Sequence, residues 1–464
     1  MIENNMIDKN IFREYDIRGV YPKQINEDIA YLVGRSYGSY IREKLNKNKC
    51  VVGHDNRYSS QSLSDNLIKG ITDSGCDVID CGLVTTPMYY YACIKTNVIV
   101  GIMITASHNP KDDNGFKFSF DNLGNARGQM VYDFRDYTLN KKFLNGTGLI
   151  EKLDILPDYK NAIFNGIKMG NRKLKVVIDC ANGTTSLFAK EINSLFGNLD
   201  ITMLYDESDS NFPNHHPDPS VKENMQDLIK KVLETNADLG IGYDGDGDRV
   251  GVVDNKGNII EADKLMIIII RSLINKVNNK TFLYDVKCSK ALEDVILSLN
   301  AKPLCYRVGN SYTRAKVNED NLEFGGELSG HLYFNNNDWP CIDSGIYNGL
   351  KIMELLSNCS KSLFELTEDI PKYFNTPELK IAVKDDIKFE IVNKVIDYCK
   401  EKKYNILTID GVRITFTDGW ALVRASNTGP NLTIRFEATT TERLNEIQNE
   451  FTNIINSLLK NNDN

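Results

Sequence analysis

The six residues Asp244-Gly245-Asp246-Gly247-Asp248-Arg249 constrain this chain more than any other segment. Three carboxylates at alternate positions repel one another unless a cation sits among them. The two glycines permit the tight backbone that turns all three toward one point. Hard oxygen ligands of this kind suit Mg2+, and Arg249 adds a planar fork suited to a phosphoryl group. Two other readings fail on the letters. An EF-hand loop beginning at Asp244 needs Gly at its sixth position and Glu at its twelfth, where this chain has Arg249 and Asn255. Gly240, Gly242 and Gly245 fit G-x-G-x-x-G, but that fingerprint requires a helix next. Val250-Gly251-Val252-Val253 reads as a strand instead. A solvated acidic turn is the bland alternative.

The rest of the chain frames this segment. Its 464 residues suggest about three domains at roughly 150 residues each, and a charged fraction of 25% is ordinary for a globular protein. A net charge of -8 argues against a protein that coats nucleic acid. The longest purely aliphatic run, Leu265 to Ile270, falls far short of the ~20 residues of a membrane helix. No secretory signal is visible at the amino terminus. The ten cysteines contain no C-x-x-C pair, so they are expected to be reduced, mostly structural thiols in a cytoplasmic protein.

Periodicity divides the chain into four units, expected over 1–150, 151–258, 259–372 and 373–464. In the first, Glu27 to Leu45 has helical spacing and Val98 to Thr105 reads as a strand. The second opens with a strand, Leu174 to Asp179, then a turn at Ala181-Asn182-Gly183, a helix from Ser186 to Phe196 and a strand from Ile201 to Leu204. That order suggests a crossover in a mostly parallel sheet. A buried helix from Lys264 opens the third. The fourth is α+β, with a strand at Glu378 to Val383, a helix over Ile387 to Lys403 and a last helix with Leu444, Ile447, Phe451 and Ile455 on one face.

Other segments carry candidate chemistry. Ser107, in Thr105-Ala106-Ser107-His108-Asn109-Pro110, follows a strand end, where α/β sheets bind ligands. It reads either as a turn residue or as a nucleophile assisted by Lys117. Gly325 to His331 brings Glu327, Ser329 and His331 into one flexible loop, suited to sugar hydroxyls or to a mere connector. Arg424-Ala425-Ser426-Asn427-Thr428-Gly429-Pro430 offers either an anion nest or a hairpin loop. Arg18 beside Gly19 is a surface arginine by default. His215-His216 reads as a connector, and Gly53 to Arg57 as a strand-end loop with structural hydrogen bonds.

Taken together, FREYDIRG (12–19), TASHNPKDDNGFK (105–117), DGDGDR (244–249), GELSGH (326–331) and RASNTGP (424–430) resemble the α-D-phosphohexomutase family, and within it the phosphomannomutase/phosphoglucomutase group. The resemblance spans nearly the whole chain. It implies three similar mixed α/β sandwich domains plus a smaller C-terminal α+β domain around a central cleft. It places a phosphoserine at Ser107 and one Mg2+ on Asp244, Asp246, Asp248 and an oxygen of that phosphoserine. Arg18, His108, Lys117, Arg249 and His331 match the phosphoryl-transfer site. Glu327 and Ser329 match the sugar-binding pair, and Tyr15, Lys287 and Gly309 match further substrate-facing positions. Arg424, Ser426, Asn427 and Thr428 match a clamp for the non-reacting phosphate. Asn310 departs from the pattern, because relatives usually carry a sugar-facing His there.

The implied activity is interconversion of hexose 6-phosphate and hexose 1-phosphate, of mannose, glucose or both, through a 1,6-bisphosphate that also serves as activator. The expected partner is a small phosphosugar, with no nucleic acid or membrane, on a monomer or homodimer. Phosphoglucosamine mutase is the nearest alternative, although its loop reads closer to Arg-x-Ser-Gly-Thr-Glu-Pro. A non-catalytic, metal-dependent sugar-phosphate binding protein is the other.

Overall fold

The computed structural model describes residues 7–121, 124–140, 142–384, 386–426 and 429–462. Two compact units emerge. The first comprises 1–261, 314–321 and 329–366, and the second 262–313, 322–328 and 367–464.

Among its described residues the first unit holds two whole sheets. Its amino-terminal sheet runs, in spatial order, Asp16–Val20, Asp113–Asp121, Gly101–Ile104, Lys49–His54, Asp77–Leu83 and Ile150–Lys152. The last four are parallel, and the first two pair antiparallel. Helix Glu27–Leu45 has the bounds its spacing predicts. Asn26 caps it by accepting the Ile29 N–H, and left-handed Asn46 ends it. Ile29, Val33, Tyr37 and Ile41 bury its apolar stripe against Val52, Ile102 and Phe118. The expected strand from Val98 is shorter, beginning at Gly101.

The second sheet is ordered Ile259–Ile260, Val250–Asp254, Leu239–Tyr243, Leu174–Asp179 and Leu199–Leu204. The last three strands are parallel, as the crossover reading anticipates. The helix expected over Ser186 to Phe196 is instead a 3-10 turn, Thr184–Leu187, and a single helical turn, Ala189–Asn193. Ser186 turns its hydroxyl back to the Gly183 carbonyl, the local competition that makes serine a poor helix interior.

In the second unit, helix Ala262–Leu273 is buried on nearly every side. Strands Lys302–Tyr306, Thr281–Asp285 and Phe324–Gly326 pair in parallel. The carboxy-terminal sheet is antiparallel, ordered Phe374–Asn375, Asn431–Ala438, Gly419–Ala425, Val412–Phe416 and Asn405–Leu407. Helices Lys388–Glu401 and Thr441–Asn462 cover it through Val395, Ile447, Phe451 and Ile455. The strand before the candidate phosphate loop extends to Ala425, so Arg424 lies within it. All ten cysteines are free thiols, most of them buried. Among the described residues no helix is long and apolar enough to cross a membrane.

Candidate active site

Both sheets of the first unit direct parallel strand ends toward one place. The strand Gly101–Ile104 leads into Ser107, and Leu239–Tyr243 leads into Asp244. Ser107 is 4% exposed and left-handed, with φ 52°, a conformation costing about 1–2 kcal/mol for a residue with a side chain. Its N–H donates to Thr105 Oγ1 at 2.8 Å. Its Oγ lies 3.1 Å from Asp244 Oδ2 and 3.2 Å from His108 Nδ1. Two glycines make this approach possible. A Cβ on Gly245 would stand 2.5 Å from the Ser107 carbonyl oxygen, and Gly247 has φ +79°.

Asp244, Asp246 and Asp248 are fully buried, and their ligand-capable oxygens lie within 4.8 Å of one another. Lys117 Nζ donates at 2.8 Å to Oδ2 of both Asp246 and Asp248. Thr86 and Thr105 hydroxyls also donate to Asp246 Oδ2, at 2.6 and 3.2 Å. Asp244 Oδ1 accepts the Gly247 and Arg249 N–H groups, each at 3.1 Å. That leaves Asp246 Oδ1 and Asp248 Oδ1 buried without a hydrogen-bond partner among the described residues.

The charges are unevenly balanced. Burial, then the charges of Asp248 and Asp246, pushes the Asp244 carboxyl well above the usual carboxylate range. Burial also raises Asp246, but Lys117 overrides it and holds that carboxyl low. Lys117 is kept charged because Asp246 and Asp248 outweigh its burial. Orphaned buried oxygens on hard ligands, beside a hydroxyl and a surplus of negative charge, fit a divalent cation such as Mg2+.

The surrounding cations come from separate elements. Register sets Asp16 opposite Lys117 and Arg18 opposite Gly115, and Arg18 donates to the Ala106 carbonyl at 2.6 Å. Arg249 Nε donates to His331 Nε2 at 3.0 Å. His331 Nε2 is thus an acceptor, so Nδ1 carries the proton and donates to Asp343 Oδ2 at 2.8 Å. Tyr333 donates to the same oxygen at 3.1 Å. Burial, then Arg249 and Arg18, lowers the pKa of His108 well below the ordinary imidazole value.

The second unit holds two further groups. Glu327 Oε1 accepts the Gly309 N–H at 2.7 Å and the Thr313 hydroxyl at 2.8 Å. Asn310 opens helix Asn310–Glu319. Lys287 Nζ pairs with Glu378 at 2.9 Å. Arg424 Nε donates to Asp410 Oδ2 at 3.1 Å, and the same oxygen accepts the Val308 N–H at 3.0 Å. Ser426 is buried. Asn427 and Thr428 lie outside the described residues. Ser329 belongs to the first unit and Glu327 to the second. Tyr15 is partly buried in the turn before Asp16–Val20.

Three residues escaped the sequence reading as functional. Arg57, 3% exposed, donates to the carbonyls of Ser107, Asn109, Pro110 and Asp113 at 2.6–3.0 Å. Asp55 pairs with its Nε at 3.3 Å. Arg57 therefore pins the strained serine loop. Asp343 orients His331. Lys388 Nζ donates to the carbonyls of Ser426 and Gly429. Gly53 to Arg57 thus makes the structural hydrogen bonds its sequence suggests, and Arg57 adds its hold on the serine loop. His215 Nε2 meets Asp179 Oδ2 at 3.0 Å, a structural pair that agrees with the connector reading.

Comparison with known proteins places this geometry. The four phosphoglucomutase/phosphomannomutase domain models match in order: α/β/α domain I over 9–133, domain II over 157–257, domain III over 261–374 and the C-terminal domain over 378–454. A phosphomannomutase/phosphoglucomutase of Pseudomonas aeruginosa is 40% identical over 448 residues, covering 96% of this chain and 95% of that one. A phosphoglucomutase of Neisseria meningitidis is 36% identical over 457 residues, covering 97% and 98%. The crystal structure of a phosphoglucomutase/phosphomannomutase family protein from Burkholderia thailandensis superposes with a TM-score of 0.90 at 33% identity, covering 97% and 98%. The chain belongs to the phosphoglucomutase/phosphomannomutase family. Its activity is that of a phosphohexomutase, an isomerase that transfers phosphate within a sugar phosphate.

Two outcomes follow. Saturating Mg2+ should raise the melting temperature, since a ligand at a hundred times its Kd adds about 2.7 kcal/mol. A calorimetric scan of Asp246→Asn should lose that gain. Arg57→Lys keeps the charge beside Asp55 but loses the fork, and should lower kcat about 10²-fold, the scale expected of a misplaced reacting group. An unchanged kcat in steady-state assays would exclude that role for Arg57.

Proposed function

We propose that Ser107, as a phosphoserine, donates its phosphoryl group to a hexose monophosphate, giving a hexose 1,6-bisphosphate. A sugar hydroxyl oxygen attacks phosphorus, the bond to the serine oxygen breaks, the hydroxyl proton passes to the protein, and the serine oxygen takes up a proton in its turn. The bisphosphate turns end for end and returns its other phosphoryl group to Ser107, which moves phosphate between C6 and C1. Free bisphosphate activates by loading Ser107. The observation that carries this reading is the strained, pinned Ser107 with its Oγ 3.1 Å from one of three buried aspartates.

Asp244, Asp246 and Asp248, with an oxygen of the phosphoserine, would hold one Mg2+. That ion would neutralise charge on the transferring phosphoryl group. Arg18 and Arg249 meet the remaining phosphoryl charge, and Lys117 keeps Asp246 and Asp248 neutralised. As Arg249 turns its guanidinium to the phosphoryl group, Nε2 of His331 is released to take up the proton of the attacking hydroxyl, with Asp343 fixing the ring through Nδ1. His108, kept neutral, stands with its Nδ1 3.2 Å from the Ser107 Oγ, whose proton is donated to Asp244 Oδ2 in the dephosphorylated enzyme.

Glu327 and Ser329 bind adjacent sugar hydroxyls, while Tyr15, Lys287, Gly309 and Asn310 contact substrate. Arg424 and Ser426, with Asn427 and Thr428, hold the phosphate that does not react. Small donors around one arginine recognise phosphate whichever sugar carbon bears it. The preferred sugars are mannose and glucose, a reading supported by the relatives' names and by the loop Arg424 to Pro430, which differs from the glucosamine type. Free buried thiols support a reducing compartment, the cytoplasm. The domain limits proposed are 1–150, 151–258, 259–372 and 373–464, for a monomer or homodimer.

Turnover measured on mannose, glucose and glucosamine 6-phosphates tests the specificity. Mannose and glucose should exceed glucosamine by at least about tenfold in kcat/KM, a difference of ~1.4 kcal/mol. Ser107→Ala should lose at least about 10³-fold in kcat even with bisphosphate present, as expected when a covalent carrier is removed. Full turnover in that variant would refute the scheme.

A further inference from the structure

The first unit contains a cavity of about 200 Å³ that no residue assigned to catalysis lines. Its walls include Tyr90, Ile94, Ile99, Ser119, Asp121 and Arg314. Arg314 is 8% exposed. Its Nε donates to the Cys341 carbonyl at 2.8 Å, and its guanidinium lies 4.2 Å from the Tyr90 ring centre. Of the five N–H donors on an arginine, this leaves the four on the terminal nitrogens. Among the described residues they have no hydrogen-bond partner. A nearly buried cation with idle donors is costly unless something polar reaches it.

The rest of the lining narrows the ligand. Ser119 Oγ accepts from the Tyr89 hydroxyl at 3.1 Å, so its own proton can be donated into the cavity. Asp121 already has Arg127 at 3.5 Å. It would nevertheless repel a dianion, while Arg314, attracted to Asp343 but without a carboxylate at ion-pair distance among the described residues, is enough for a single negative charge. Ile94 and Ile99 supply apolar wall. A benzene-sized ring occupies a cavity of roughly 150 Å³, so the available volume suits one ring or a short chain.

We propose that this cavity binds a small organic monocarboxylate, with the carboxylate on Arg314 and Ser119 and the apolar body against Ile94 and Ile99. The site is separate from the phosphosugar site but adjoins it. Ser119 lies two residues beyond Lys117 on strand Asp113–Asp121, and alternate residues share a face.

Benzoate is the probe, titrated calorimetrically into the full-length enzyme with Mg2+ and saturating hexose phosphate present. The expected result is one benzoate per chain at about millimolar Kd. Arg314→Met, which removes the donors, should weaken it at least tenfold. Ile94→Trp, at a position 46% exposed and so tolerant of change, should weaken it similarly by filling the space. Benzyl alcohol, of similar shape without the charge, should bind at least tenfold more weakly than benzoate. Equal binding by either variant, displacement of benzoate by hexose phosphate, equal affinity for benzyl alcohol, or no benzoate binding at all would overturn the proposal.

Discussion

Mutual repulsion among Asp244, Asp246 and Asp248 is the constraint around which the first unit is arranged. Buried carboxylates this close cannot all stay ionised without counter-charge. Lys117 supplies part of it, reaching across from the other sheet to one side of two of the carboxylates. The opposite oxygens have no hydrogen-bond partner among the described residues. Those oxygens, with Asp244 beside a serine held in a left-handed turn, offer a place where a cation and a phosphoryl group could each satisfy what the other lacks.

From that requirement the supporting parts follow. Arg18 and Lys117 sit on paired strands, so the antiparallel register fixes their spacing. Besides its ion pair with Asp55, Arg57 donates to four backbone carbonyls, which holds the serine loop through its main chain. The relay Arg249–His331–Asp343 assigns the proton on the imidazole. In the second unit, Lys287 and Arg424 already have carboxylate partners, Glu378 and Asp410. Substrate phosphate would therefore compete for donors that are held in position rather than wholly idle. That arrangement would favour release as well as capture, as the proposed bisphosphate intermediate, which has to turn around, would require.

Much of this was legible in the sequence because it is local. The helix Glu27–Leu45 and strand Leu174–Asp179 were found at their observed bounds, since an apolar stripe and a β-rich run announce themselves within one window. The aspartate segment and the serine segment carry their chemistry in adjacent letters, and the strand after Asp248 correctly excluded a dinucleotide fingerprint. Ser186 to Phe196 misled because short side-chain bonds to the backbone broke a pattern that periodicity alone accepts. Arg57, Asp343 and Lys388 were missed for a different reason. Arg57 acts on carbonyls about fifty residues away, and a carbonyl leaves no signature in the letters.

The central claim is that Ser107 carries the phosphoryl group and passes it to the sugar. Intact-mass analysis of the purified enzyme, before and after brief exposure to hexose monophosphate and Mg2+, tests it directly. The account predicts one phosphoryl adduct localised to Ser107, its loss matched mole for mole by the bisphosphate formed. A stable adduct that does not exchange, or turnover by enzyme that never carries one, would contradict it.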